Sequence, residues 1–328
     1  MKYGHNKYIM STKNNLTATI KSCIIYTTTK KGVSYMDYRL LGKSDIKVST
    51  LGYGAGHIGG ENMSDKEVDK LLNEIVDLGI NFIDTARGYN LSEERIGKFL
   101  SHKRDKIVLS TKVGYGIEGY QDWSYDIIIK GIEKALQLMK TDYIDVVHLH
   151  SCNLDILKRG EVIEALKKLK QDGKIRLMAY SGENEDLNFA IESNSFDVIQ
   201  TSVNIFDQNG INNYFGKIID KNIGVIAKRP LGNAPWRFLE IPYGNYCEEY
   251  WNRMKKMNID TKGMSWNELA LRFTAYTYGV TTCIVGSTNI NHIKENIENV
   301  NKGKLPEDIY NEIRAKFNYN QENWIGQV

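Results

Sequence analysis

Between residues 50 and 300 the chain alternates short, wholly apolar runs with longer stretches that are apolar along one stripe. The short runs fall near 50–54, 80–84, 107–112, 143–149, 175–180, 198–202, 223–228 and 282–286. Runs of this length without polar alternation predict strands buried on both faces, as in a parallel sheet covered by helices. The clearest stripe is 65–78, where Val68, Leu71, Leu72, Ile75 and Leu78 recur at helical spacing. Ser64 and Glu67 frame its start as a capping box and Gly79 ends it. Residues 125–139 and 160–171 follow the same pattern, and 186–193, 212–221, 265–278 and 289–300 follow it more weakly. Ser92, Glu93 and Glu94 predict one more helix start, with a capping hydroxyl and acids facing the positive helix end. Ahead of the first run, Tyr38–Leu41 and Ile46–Val48 flank a turn of Gly42, Lys43, Ser44 and Asp45 and predict a hairpin.

Eight buried strands, each followed by a helix, predict the α/β class and a single closed (β/α)8 TIM barrel over 37–328, with the hairpin at its N-terminus. An open doubly wound sheet would put a G-x-G-x-x-G turn after the first strand. Gly52, Gly54 and Gly56 do not have that spacing. One connection is long: after the seventh strand, 229–264 holds three of the four prolines, Pro230, Pro235 and Pro242. It also holds Trp236, Phe238, Tyr243, Tyr246, Tyr250 and Trp251, a density that predicts a packed flap over the barrel mouth.

Composition adds limits. At 41% hydrophobic and 25% charged, the 328 residues fit a soluble globular protein, and no stretch is a membrane span. The net charge of +3 arises from residues 1–36, which carry six lysines and no acid; the remainder stands at −3. That excludes a nucleic-acid surface. Residues 1–36 predict a poorly ordered extension, read here as lying upstream of the natural start at Met36; they lack arginine, which speaks against a transit peptide. Cys23, Cys152, Cys247 and Cys283 are far apart, which excludes a zinc cluster or disulfide scaffold and suits a cytoplasmic location.

The chemistry collects at strand ends. Asp84 ends the second run, Lys112 the third, and His148 and His150 the fourth; Tyr89 stands in the loop after the second. In a barrel these would converge at one mouth. Both histidines point the same way, with His150 nearer the mouth, so His150 is the catalytic candidate and His148 a packing residue. A phenol is a weak acid near neutrality, and a neighbouring ammonium eases its proton loss. Asp84 is the partner a buried Lys112 would need. A histidine can hydrogen-bond an oxygen on which charge develops. Such a set moves a proton to or from a carbonyl or alcohol oxygen. No side chain supplies a hydride, so a nicotinamide cofactor is implied.

The motifs resemble those of the aldo-keto reductase family, from about Tyr38 to Val300. The resemblance rests on Asp84-Thr85-Ala86-Arg87-Gly88-Tyr89, Ser110-Thr111-Lys112, Asp142-Tyr143-Ile144-Asp145 through His150, and Gly286-Ser287-Thr288 through Glu295-Asn296. It implies an NAD(P)H-dependent oxidoreductase that reduces an aldehyde or ketone. Tyr89 would then be proton donor, Lys112 and Asp84 would tune it, and His150 would orient the carbonyl. It also implies Ser181 and Gln200 at the carboxamide, Lys228 where an aromatic usually stacks on the nicotinamide, and Pro230, Leu231 and Gly232 along the pyrophosphate. Ser287, Glu295 and Asn296 fall on adenosine contacts, and Gly286 and His292 on two positions that often grip a 2′-phosphate with basic residues. Those two replacements weaken the case for strict NADPH use; the resemblance still implies NADPH as the first cofactor expected, with NADH or dual use close behind. For His57, Tyr115, Tyr120 and Trp123, packing and substrate contact are both open; the candidate substrate contacts are His57, Tyr115, Trp123 and Trp236. The alternative reading is a cofactor-binding regulatory subunit with little turnover. The partner expected is a small-molecule carbonyl compound, without nucleic acid or membrane; no oligomeric state is read from the pattern.

Overall fold

The computed structural model describes residues 36–328. The expected loose leader lies outside the described residues except for Met36, which is buried against the core. The hairpin forms as β1 (Tyr38–Leu40) and β2 (Lys47–Ser49), antiparallel, with Tyr38 opposite Ser49. Its Leu41, Ile46 and Val48 join Phe82, Val108, Val146, Leu177, Val198 and Ile226 in one buried cluster, the plugged lower interior of the barrel. Gly42 makes this docking possible: its φ is +60° and an added Cβ would lie 2.5 Å from the Gly224 nitrogen.

The barrel strands are β3 (Leu51–Gly54), β4 (Phe82–Asp84), β5 (Val108–Val113), β6 (Ile144–His150), β7 (Ile175–Ser181), β8 (Val198–Ser202), β9 (Gly224–Lys228) and β10 (Thr282–Val285). They pair in sequence order, all parallel, and β10 closes on β3. All eight expected strands form, because each short apolar run is sealed on both faces. Register then decides what meets at the mouth. Asp84 pairs with Ser110, Lys112 with His148, His150 with Ser181, Ser181 with Gln200 and Ser202 with Lys228.

The surrounding helices are α1 (Asp65–Asp77), α2 (Ser92–Leu100), α3 (Tyr125–Met139), α4 (Leu154–Arg159), α5 (Glu161–Gln171), α6 (Asn184–Glu192), α7 (Asn209–Asn213), α8 (Phe215–Asp220), α9 (Glu248–Met257), α10 (Trp266–Tyr276), α11 (Ile290–Asn301) and α12 (Glu307–Asn320). The capping box at Ser64 and Glu67 is present. The stretch expected as one helix over 212–221 divides at Tyr214, whose φ of −127° is not helical. The sequence reading did not assign α12, whose buried face is only Ile313 and Phe317.

The long connection after β9, the seventh barrel strand, is ordered by a 3₁₀ turn at Pro235–Arg237 and by α9. Its aromatics divide. Trp236 stacks on Trp266 with centroids 5.6 Å apart, and Tyr250 is buried with Met254 and Met257 against Phe206, Phe273 and Phe317. Tyr243 and Tyr246 stay exposed. The segment therefore packs largely into a second apolar cluster beside the barrel, shared with α10 and α12. Among the described residues no helix is long and apolar enough to cross a membrane.

Candidate active site

Asp84, Lys112 and His150 stand at the C-terminal ends of three adjacent strands, and the loop after β4 brings Tyr89 over them. That loop is fastened on both sides. Thr85 and Arg87 nitrogens donate to the Ser110 and Lys112 carbonyls, so the ladder continues past β4. On the other side the Leu91 nitrogen donates to the Gly59 carbonyl. An added Cβ on Gly59 would lie 1.9 Å from the Tyr89 carbonyl oxygen, so only glycine permits this approach.

Ser92 does not cap α2, contrary to expectation. Leu91 occupies the cap position, and the buried Ser92 hydroxyl donates to the Ala55 carbonyl and accepts from Thr85 Oγ1, each at 2.8 Å. Tertiary partners on neighbouring loops have taken the hydroxyl from the local role. Glu93 is likewise buried rather than facing solvent. It accepts from Thr111 Oγ1 at 2.7 Å and meets Arg87 at 3.4 Å, and burial pushes its carboxyl up.

Lys112 Nζ donates to Asp84 Oδ2 at 2.6 Å and to the Thr85 carbonyl at 2.7 Å, and lies 5.0 Å from the Tyr89 ring centroid. Burial by itself would lower this ammonium. The Asp84 carboxylate and then the Tyr89 phenol more than offset it, and Lys112 is held above its ordinary value. Asp84 Oδ1 accepts from Ser110 Oγ at 2.8 Å and Gln200 Nε2 at 3.1 Å, while Ser181 Oγ donates to Gln200 Oε1 at 3.1 Å. Ser110 spends its one proton on Asp84, so at 3.0 Å it accepts from His148 Nε2. His148 thus serves the deep packing role expected of it. His150 contacts Tyr115 instead: the phenol oxygen is 2.7 Å from Nδ1 and the rings stack at 5.5 Å. Burial first, and Lys112 second, depress His150 to about 3, so its imidazole is neutral.

The remaining candidates spread over the mouth. Tyr115 meets Trp123 edge-on at 5.9 Å, making a wall beside His150. His57 is exposed, its ring against Gly286, where an added Cβ would meet it at 2.9 Å. The ring contacts of Trp236 are with Phe206 and Trp266, in the side cluster. Tyr120 is exposed. Lys228 is partly buried and pairs with Glu183 at 3.2 Å; burial is the main cause that lowers its ammonium. Glu183 also accepts from Thr201 Oγ1 and the Ser202 nitrogen. Pro230, Leu231 and Gly232 follow in a loop where Arg229, Gly232, Asn233 and Ala234 all have positive φ. Asn204 lies beside Gly232, and its Nδ2 is buried without a partner. Near α11, His292 Nδ1 is 3.4 Å from Ser287 Oγ; Glu295 is exposed and Asn296 buried.

Sequence reasoning missed Gly59, Ser110, Glu183 and Arg229. Glu183 had a signal, since it sits just past a strand end, and Ser110, inside β5, stood in the Ser110-Thr111-Lys112 motif without a role of its own. Arg229 shows why the C-terminal segment also matters: its guanidinium donates to the Gln327 carbonyl and the Tyr246 hydroxyl, and to Ser202 Oγ at 3.3 Å. Among the described residues no group of three or more His, Cys, Asp or Glu side chains could hold a metal.

Comparison with known proteins agrees with the fold. The model of the Aldo/keto reductase family matches residues 50–318. The chain is 30% identical to the oxidoreductase YqkF of Bacillus subtilis over 85% of its own length and 95% of the relative's. It is 27% identical to L-galactose dehydrogenase of Arabidopsis thaliana, over 80% and 87% of the two chains. Among solved structures, the holo form of aldo-keto reductase AKR11C1 from Bacillus halodurans superposes with a TM-score of 0.75 at 29% identity, covering 86% of this chain and 96% of that one.

Proposed function

Because the chain belongs to the aldo-keto reductase family, an oxidoreductase family, we propose that it reduces an aldehyde or ketone with a nicotinamide cofactor, Tyr89 giving the proton to the carbonyl oxygen. The observation that carries this is the buried Lys112 ammonium, gripped by Asp84 at 2.6 Å and facing the Tyr89 ring at 5.0 Å. As Tyr89 releases its proton, negative charge appears on the phenol, and a fixed ammonium in a dry site stabilises it. Asp84 keeps Lys112 charged and in place. Neutral His150 hydrogen-bonds the substrate oxygen from the other side without competing for Tyr89's proton. In the reverse direction the same groups take the proton from an alcohol.

The residues present fit the cofactor. Ser181 and Gln200 offer a hydroxyl and an amide for a carboxamide, and both are tied to Asp84 by the network above. The Arg229 guanidinium and the unpartnered Asn204 Nδ2 are donors suited to a pyrophosphate. A bound nicotinamide supplies the hydride, which no side chain can. NADPH is the first cofactor to test, as the family resemblance implies, and NADH is a close second, because Gly286 and His292 stand where a lysine or arginine would grip a 2′-phosphate. The substrate class is a small carbonyl compound of hydrophobic or sugar size; the relative L-galactose dehydrogenase makes sugars a first choice. A cytoplasmic setting is consistent with three buried free thiols, Cys152, Cys247 and Cys283.

The test is consumption of NADPH and NADH against a panel of aldehydes, ketones and sugars, with Tyr89→Phe beside the wild type. We expect Tyr89→Phe to lose at least about a hundredfold in kcat, the scale of general acid catalysis, with cofactor fluorescence titration unchanged. Retention of most activity by the variant would reject Tyr89 as donor. Tight cofactor binding with no turnover across the panel would favour the regulatory-subunit reading instead.

A further inference from the structure

Tyr115 was open between packing and substrate contact, and its geometry gives it a more specific task. We propose that Tyr115 is a positioning residue: its hydroxyl donates to Nδ1 of His150, which keeps the imidazole proton on Nε2 as the donor that a substrate oxygen meets. This inference rests on the carbonyl-reducing role given to the site.

A neutral imidazole has one donor and one acceptor nitrogen, and the partner of one sets the other. Two assignments fit the 2.7 Å contact between the phenol oxygen and Nδ1. If Nδ1 carried the proton, the phenol O–H would turn away to water, because among the described residues its hydrogen-bond partner is Nδ1. Nε2 would then be a bare lone pair, and a carbonyl oxygen beside it would meet repulsion where the reaction needs a donor. With Tyr115 donating, every hydrogen is used and Nε2–H is left for substrate. Burial, and then the neighbouring Tyr89, raise the Tyr115 phenol above its ordinary value against the opposing pull of the Lys112 ammonium, so the donor proton stays on at neutral pH.

The surrounding wall keeps the phenol in register. Tyr115 stacks on His150 at an interplanar angle of 23°, and Trp123 meets it edge-on. Trp123 has a φ of +61° and its nitrogen donates to the Gly114 carbonyl at 2.8 Å, which folds the indole over Gly114. An added Cβ on Gly114 would lie 2.1 Å from that indole. Gly114 is therefore the space that lets Trp123 close on Tyr115.

The experiment is a long-range proton–nitrogen correlation spectrum of histidine-¹⁵N-labelled full-length protein at pH 7, with His150→Gln used to assign the ring. The wild type should show His150 as the Nε2–H tautomer with a hydrogen-bonded Nδ1. Tyr115→Phe should shift the Nδ1 resonance and populate the Nδ1–H form. Its kcat on the best carbonyl substrate should fall about tenfold, a fraction of what removing a whole oxyanion donor costs, with melting temperature and NADPH affinity unchanged. A wild-type His150 protonated on Nδ1 overturns the proposal. So does a Tyr115→Phe spectrum with unaltered tautomer, even if kcat drops. The wild-type spectrum decides the matter should the variant misfold. If the wild type turns over no carbonyl compound, it is the assigned activity that fails, and the tautomer still reads out separately.

Discussion

Two histidines two residues apart on β6 receive different fates from their neighbours. His148 is sealed beneath the mouth against Ser110, and His150 lies between Tyr89 and Tyr115. Both are held neutral by burial, His150 with a value of about 3. The sign of the pH effect follows. Below the ordinary histidine value of 6.5 the unfolded chain binds a proton that folded His150 refuses, so this stabilising contribution is present above that value and is lost as pH falls toward 3. Asp207, raised to about 7 by burial, acts oppositely: its folded form keeps a proton that the unfolded chain releases above about 4. The clean measurement is a difference. The stability gap between wild type and His150→Gln, from urea midpoints, should narrow by about 1.4 kcal/mol per pH unit between pH 6 and 5. A pH-independent gap would mean that His150 is protonated in the fold.

At the scale of elements, the position of Tyr89 depends on how a loop docks. The chain after β3 turns through a 3₁₀ segment, Ala55–Gly59, and Gly59 sits against the Tyr89 carbonyl with no room for a methyl group. Gly59→Ala must move that loop or the turn, since the obstacle is backbone. The expected result is a fall in kcat of about a hundredfold, as a misplacement near 1 Å entails, together with a lower melting temperature. Unchanged kinetics would show that the phenol is placed by α2 alone. The helix itself illustrates how local signals are overridden. Ser92 has the chemistry of a cap, yet Thr85 and Ala55 claim its hydroxyl, because a buried hydroxyl must be satisfied wherever the partners lie. Where no competitor exists, as at Ser64 and Glu67, the local signal and the structure coincide.

Across the whole molecule, the two ends of the described chain brace opposite ends of the barrel. The hairpin plugs the bottom, and residues 324–327 return across the mouth. Asn184 exchanges two hydrogen bonds with Gly326, the Gln327 nitrogen donates to Asp207, and the Ile325 carbonyl accepts from buried Arg253. Arg229 is tied to the same segment. Removing residues 325–328 strips partners from Arg253, Arg229 and Asp207 together. We expect a loss of roughly 2 kcal/mol in unfolding free energy, since bonds to charged groups carry about 1.5–3 kcal/mol each but water replaces part of it. Calorimetry or urea unfolding reads this, and an undiminished midpoint would show the return segment to be passive.

Strand positions, the clearest helices and the Asp84, Tyr89, Lys112 and His150 set were legible in the sequence, for a common reason. Apolar runs sealed on both faces have few alternatives to strands, and a closed parallel barrel brings their C-terminal ends to one rim. Polar residues at those ends therefore announce themselves by position along the chain. The partners of those residues were not legible, because a hydrogen bond is set by distance in space. Nothing in the spacing of Lys228 and Glu183, of Arg229 and Gln327, or of Tyr115 and His150 says that they touch. Nor does a serine before two glutamates reveal that its hydroxyl will be claimed elsewhere. The order of apolar and polar residues determined the barrel and which side chains stand on its rim; only the closed structure, through register and burial, decided whom each one faces and in which protonation state.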